Sequence, residues 1–223
     1  ASSDLVRNPI DAFILRKLEE KGLRLSSKAD WFTLIRRAYL DLTGLPPEPE
    51  EIERFLADRD PKAYENLINR LLQSPRYGER WGRYWLDVAG YQEHPYAWRY
   101  RDYVIRSWNT DKPYNRFLSE QIAGDELLDY ENEPVITEEM IDNLVATGFL
   151  RMAFDDTGAR ATNFLPDRFQ VVADEVQILS SAVLGLTLQC ARCHDHKFDP
   201  LTQRDYYRLL AVFQGAYDPY DWI

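Results

Sequence analysis

PDRFQVVADEVQILSSAVLGLTLQCARCH, residues 166–194, is the stretch on which the reading of this chain turns. Pro166 precedes a long helix, predicted from about 167 to 188, and that helix delivers the chain to Cys190-Ala191-Arg192-Cys193-His194. A helical approach to a two-cysteine motif, with hardly any period-2 alternation elsewhere, places the chain in the mainly α class.

Upstream, the chain reads as short helices punctuated by proline and glycine. Asn8-Pro9 pairs a cap with the residue best tolerated at the first helical position, and Gly22 closes the segment. Ile10, Phe13, Ile14 and Leu18 fall on one face of it. After Ser27, Trp31, Leu34, Ile35, Ala38, Tyr39 and Leu42 recur at helical spacing until Gly44-Leu45-Pro46-Pro47 breaks the chain. Helices are expected at about 49–58, from Asp60-Pro61 to Leu72, and after Ser74-Pro75 with Trp81, Tyr84, Trp85 and Val88 as a bulky stripe. Others are expected at 98–108, 113–124, from Thr137 through Leu150, and at 203–214, with loops at 125–136 and 151–165. The expectation is an irregular multi-helix domain with long loops. Residues 1–223 are taken as a single domain, although two helical blocks could pack separately.

Composition bounds the partners. The 223 residues are 45% hydrophobic and 29% charged, ordinary for a globular chain with a sizeable core. A formal charge of −10 argues against nucleic acid, which needs clustered Lys and Arg, and against an anionic membrane surface. No apolar stretch approaches the ~20 residues needed to span a bilayer. Ala1-Ser2-Ser3 carries no basic flank or apolar run, so an export signal is expected to lie outside this sequence. Acidic residues concentrate at 125–142; they read as a solvated loop and helix start, or else as a docking patch for a basic redox partner. Six Trp, fourteen Tyr and ten Phe suit either helical packing or the flanks of a flat cofactor.

The chemistry lies in Cys190 and Cys193, the only cysteines in the chain, with His194 directly after them. Two thiols three apart can each add to one vinyl group of a porphyrin while the next imidazole takes the iron as an axial ligand. Three other readings stay open: a disulfide, half of a zinc site with His194 and His196, and a redox-active dithiol, which lacks its βαβ context here. No Ser-His-Asp order, nucleotide-binding glycine loop or HExxH pattern appears.

Longer phrases add to this. They include Asn8-Pro9-Ile10-Asp11, Asp41-Leu42-Thr43-Gly44-Leu45-Pro46-Pro47, Ser74-Pro75-Arg76-Tyr77-Gly78-Glu79-Arg80-Trp81-Gly82-Arg83 and Gln121-Ile122-Ala123-Gly124-Asp125-Glu126-Leu127. Cys190-Ala191-Arg192-Cys193-His194-Asp195-His196-Lys197-Phe198-Asp199-Pro200 completes the set. Together they resemble, from about residue 7 to 215, the planctomycete cytochrome-c-like domain family of unknown function. The resemblance implies an extracytoplasmic domain, at the periplasm or cell surface, carrying haem c within a large exported multidomain protein.

On that reading Cys190 and Cys193 hold the porphyrin and His194 ligates the iron. His94 or Met152 is the candidate for the opposite face; the alternative is a face open to small ligands. Asp195 or Asp199 would fix the outer nitrogen of His194, and His196 would orient the loop. Arg99 and Arg101, with Arg106, suit the propionates, as do Arg80 and Arg83; each also reads as a solvated helix face. The expected function is single-electron transfer with a redox partner domain or protein, rather than catalysis by the domain alone. The alternatives are a structural or glycan- or protein-binding surface module with the cysteines as a disulfide or metal staple, and a haem-dependent enzyme with an open iron.

Overall fold

The computed structural model describes residues 6–93, 95–130, 132–155, 157, 164–220 and 222. Among them are ten α-helices and no strands, so the mainly α class holds. Local caps start most helices where the sequence marks them. The Asn8 side chain accepts from the Asp11 N–H at 3.1 Å and Asp11 returns the bond to the Asn8 N–H, opening α1 (Pro9–Glu20). Asp30 caps α2 (Trp31–Thr43), and Gly44, at φ 75°, ends it.

Two apolar cores form. The smaller joins α2, α3 (Pro49–Ala57) and α4 (Ala63–Leu72) around Ile35, Ala38, Phe55, Leu67 and Leu71. The larger gathers α5 (Pro75–Ala89), α6 (Ala97–Asn109), α7 (Tyr114–Ala123), α8 (Glu138–Ala146), α9 (Leu165–Leu179) and α10 (Gln203–Phe213). Trp85, Tyr100, Tyr103, Phe117, Phe149 and Val176 fill its centre. Helix α2 also packs on α5. The two apolar cores thus lie in contact through α2 and α5.

Four expectations on detail change. The bulky stripe of α5 is not its buried face: Trp85 is buried, but Tyr84 and Val88 are each 46% exposed. The buried face is Gly78, Gly82, Trp85, Leu86 and Ala89, because α6 comes so close that a Cβ on Gly78 would lie 2.4 Å from the Ile105 carbonyl oxygen. On α1, Ile10, Phe13 and Ile14 face outward and only Leu15 is buried. The helix before the cysteines is α9 followed by a π-type turn, Ser180–Leu184, closed by Gly185 at φ 64°. The Ser180 and Ser181 hydroxyls donate to the Gln177 carbonyl at 3.0 and 2.9 Å, which loosens the helical ladder there. The expected 137–150 helix likewise tightens at Thr147 into a 3-10 turn, Thr147–Arg151. No helix among the described residues is long and apolar enough to cross a membrane.

Candidate functional site

The cysteines lie on a 3-10 turn, Leu188–Arg192, that follows Gly185. With three residues per turn, positions i and i+3 fall on one side. Leu188 and Ala191 are buried in the larger core, while Cys190 and Cys193 stand outward as exposed, free thiols. The Cys193 N–H continues the pattern by donating to the Cys190 carbonyl at 3.3 Å. The spacing that attachment chemistry needs is therefore the spacing the turn enforces.

Neighbouring helices clamp this turn from two sides. From α9, the Gln177 side chain accepts the Gln189 N–H at 2.9 Å, and Gln170 accepts from Arg192 at 2.7 Å. From α10, Gln203 Nε2 and the Tyr207 hydroxyl both donate to the Arg192 carbonyl, at 3.1 and 3.2 Å. Asp195 takes the Gln203 N–H at 2.8 Å, and Thr202 with Asp205 completes the cap of α10. The thiols thus project from a well-braced turn.

His194 is exposed, and its Nδ1 lies 2.8 Å from the Asp195 carbonyl oxygen. A carbonyl only accepts, so Nδ1 is the donor in this contact, and a neutral ring so held has its lone pair on Nε2. The orienting acceptor is a backbone carbonyl, whereas the sequence pointed to the Asp195 or Asp199 carboxylate. The Asp195 carboxylate caps α10, and Asp199 lies against His196. His196 is nearly buried: its Nδ1 accepts the Asp199 N–H at 2.9 Å and its own N–H donates to the Leu201 carbonyl at 2.8 Å. Both bonds close the loop after the motif, the orienting role expected of it. Among the described residues, no three His, Cys, Asp or Glu side chains gather as a metal site.

Of the remaining expected residues, those described make no hydrogen bond or ion pair to this turn. Arg99 is exposed, 5.4 Å from the Trp98 ring, and Arg101 pairs with Asp102 at 3.1 Å and Glu93 at 3.5 Å. Arg106 pairs with Asp142 at 2.6 Å. The hydrogen bonds of the motif run to α9, α10 and its own loop, not to α6. Arg80 lies over Tyr84 and Arg83 faces Asp87. Met152 is packed into the larger core at 3% exposure, the core-filling use. His94 lies outside the described residues. Within the acidic run, Asp142 and Glu139 are paired with Arg106 and Arg116.

A buried polar network escaped the sequence reading. Glu120, 1% exposed, accepts from Lys112, from Arg116 at 2.6 Å and from the Tyr103 hydroxyl at 2.7 Å. Next to it, Gln121 accepts from the Trp85 indole at 2.8 Å and the Tyr100 hydroxyl at 2.6 Å. Its signal was available: Glu120 and Gln121 sit three and four residues after Phe117, on the core-facing side of α7. On α9 the buried Glu175 accepts the Ala153 N–H at 2.7 Å, and burial pushes its carboxyl up to about 8.

A family model described as "Protein of unknown function (DUF1549)", PSCyt2, matches residues 9–218, and the chain belongs to that family. No curated protein and no solved structure matches.

Proposed function

We propose that this PSCyt2 domain holds a haem c through thioether bonds from Cys190 and Cys193, with His194 Nε2 on the iron, and serves single-electron transfer in an extracytoplasmic assembly. The observation that carries the reading is the His194 tautomer. The Asp195 carbonyl holds the proton on Nδ1, so the lone pair that a metal takes is on the outer nitrogen, beside two outward thiols. The donor set fits the group: two unbonded sulfurs three apart and one imidazole whose Nδ1 is engaged by the Asp195 carbonyl. When bound, the haem supplies a one-electron couple, and its axial ligation tunes the potential.

The chain's own contribution is positional. Gln170 and Gln177 on one side, and Gln203 and Tyr207 on the other, hold the turn from which the exposed thiols and imidazole project. Phe198, 83% exposed on the loop after the motif, and Tyr207, bonded to the Arg192 carbonyl of the turn, add exposed aromatic surface to this region. No protein ligand is assigned to the opposite face of the iron. A redox partner would approach this exposed side of α10.

The test is to export the chain from a host with haem-attachment machinery, then record its mass and spectrum. The expected product gains one haem mass and a Soret band, both lost in the Cys190→Ser, Cys193→Ser double variant. His194→Ala should keep the mass gain and alter the iron's spin state. Colourless protein with two titratable thiols, or one lighter by two hydrogens, would overturn the proposal.

A further inference from the structure

Between the end of α6 and the start of α7 lies a cavity of about 600 Å³, walled by Trp85, Trp108, Tyr114 and Phe117, with Asp111 and Lys112 beside them. That volume suits a small-molecule ligand. The Trp85 indole N–H is committed to Tyr100 and Gln121, so Trp85 offers a ligand its ring alone. Aromatic faces carry negative quadrupole density and favour cations.

The two charged residues at this cavity differ. Lys112 donates to Glu120, whose other oxygen takes Arg116, and Arg116 also reaches Glu139 at 2.6 Å. Two cations and two carboxylates cancel there. Asp111 stands outside that cluster: among the described residues no hydrogen bond or ion pair engages its carboxylate. Its backbone is also unusual, at φ 50°. It occupies the left-handed position after α6, where the Lys112 N–H returns to the Ser107 carbonyl at 3.0 Å. Glycine takes that position without strain, so ending the helix does not call for a carboxylate.

We propose that this cavity binds a small organic cation, an ammonium group on an apolar or aromatic body. Asp111, itself exposed at the mouth, supplies the counter-charge, and Trp108, Tyr114 and Phe117 offer the body their rings as walls of an open cleft. The site is separate from the cysteine turn and independent of any cofactor there.

Isothermal titration at pH 7 and low salt tests this with three probes of one skeleton: 2-phenylethylammonium, 2-phenylethanol and phenylacetate. The cation is expected to bind roughly tenfold tighter than the alcohol, and phenylacetate weakest. Asp111→Asn and Asp111→Gly, both compatible with the left-handed backbone, should keep the fold by thermal melting while the cation falls to the alcohol's affinity. Equal binding of cation and alcohol by the native chain overturns the proposal. So does a preference that survives Asp111→Asn, or no saturable binding of the cation.

Discussion

In the smaller core, Glu51 faces Arg70 at 2.5 Å, Arg54 at 2.7 Å and the Tyr39 hydroxyl at 2.7 Å. In the larger core, Glu175 has one backbone N–H on one oxygen and, among the described residues, no hydrogen-bond partner on the other. The Arg70 hydrogen bond, helped by Tyr39 and Arg54, lowers the Glu51 carboxyl to about 2, while burial raises that of Glu175 to about 8. The difference lies in reach. Glu51 lies at the edge of the three-helix core, where Arg54 of α3 and Arg70 of α4 reach it while staying largely exposed themselves. Among the described residues no cation is paired with Glu175, and burial outweighs the pull of the Arg151 charge, so it keeps its proton. Glu120 lies between these cases. It is as deeply placed as Glu175, yet bonds from Arg116, Lys112 and Tyr103 outweigh burial and hold it below the ordinary range.

The largest effect expected from this contrast is on pH dependence. Folded Glu175 stays protonated up to about pH 8, whereas an unfolded Glu ionises near 4.5. Between those values the folded state binds more protons, so Glu175 makes stability fall as pH rises through the window and level off above it. The full span is on the order of 4 kcal/mol. Glu175→Gln should remove most of that slope in urea unfolding from pH 5 to 9. An equal slope in the variant would break the contrast between the cores.

Glu120→Ala comes next. It leaves Lys112 and Arg116 without their shared partner, and about 3 kcal/mol of stability should be lost. A shifted denaturant midpoint with an unchanged m-value would show this. A loss under ~1 kcal/mol would mean that the network is dispensable.

The smallest effect is at Glu51, whose pairs lie near solvent. Its folded value is depressed, so its contribution is present above about pH 4.5 and lost as pH falls toward 2. With screening discounted, Glu51→Gln should cost about 1–2 kcal/mol at pH 7. Thermal melts of the two proteins should converge near pH 2; a gap that persists in acid would assign the effect to packing.

How much was legible in advance differs along the chain. Helix starts were, because Asn8, Ser74 and Thr137 bond to N–H groups two or three residues ahead, an interaction local in sequence. The outward face of α1 and the buried face of α5 were not. Apolar spacing names a stripe, but a neighbour must arrive to cover it, and at α5 the two glycines decided where α6 would sit. At the candidate site, the cysteine spacing and the histidine could be read directly. Arg101 could not be placed, because its partners Glu93 and Asp102 claim it in the fold.

By itself, the amino-acid order determined that this chain would be helical and that both its thiols and one imidazole would occupy adjacent turns, since caps, proline placement and three-residue spacing act over one or two turns. Only tertiary structure decided which nitrogen of His194 carries a proton, which buried acids ionise, and that a carboxylate would stand against an aromatic cavity. Each of those depends on groups brought together from different helices, or on the loop's final course. Desolvation and charge pairing exist only once that packing is complete.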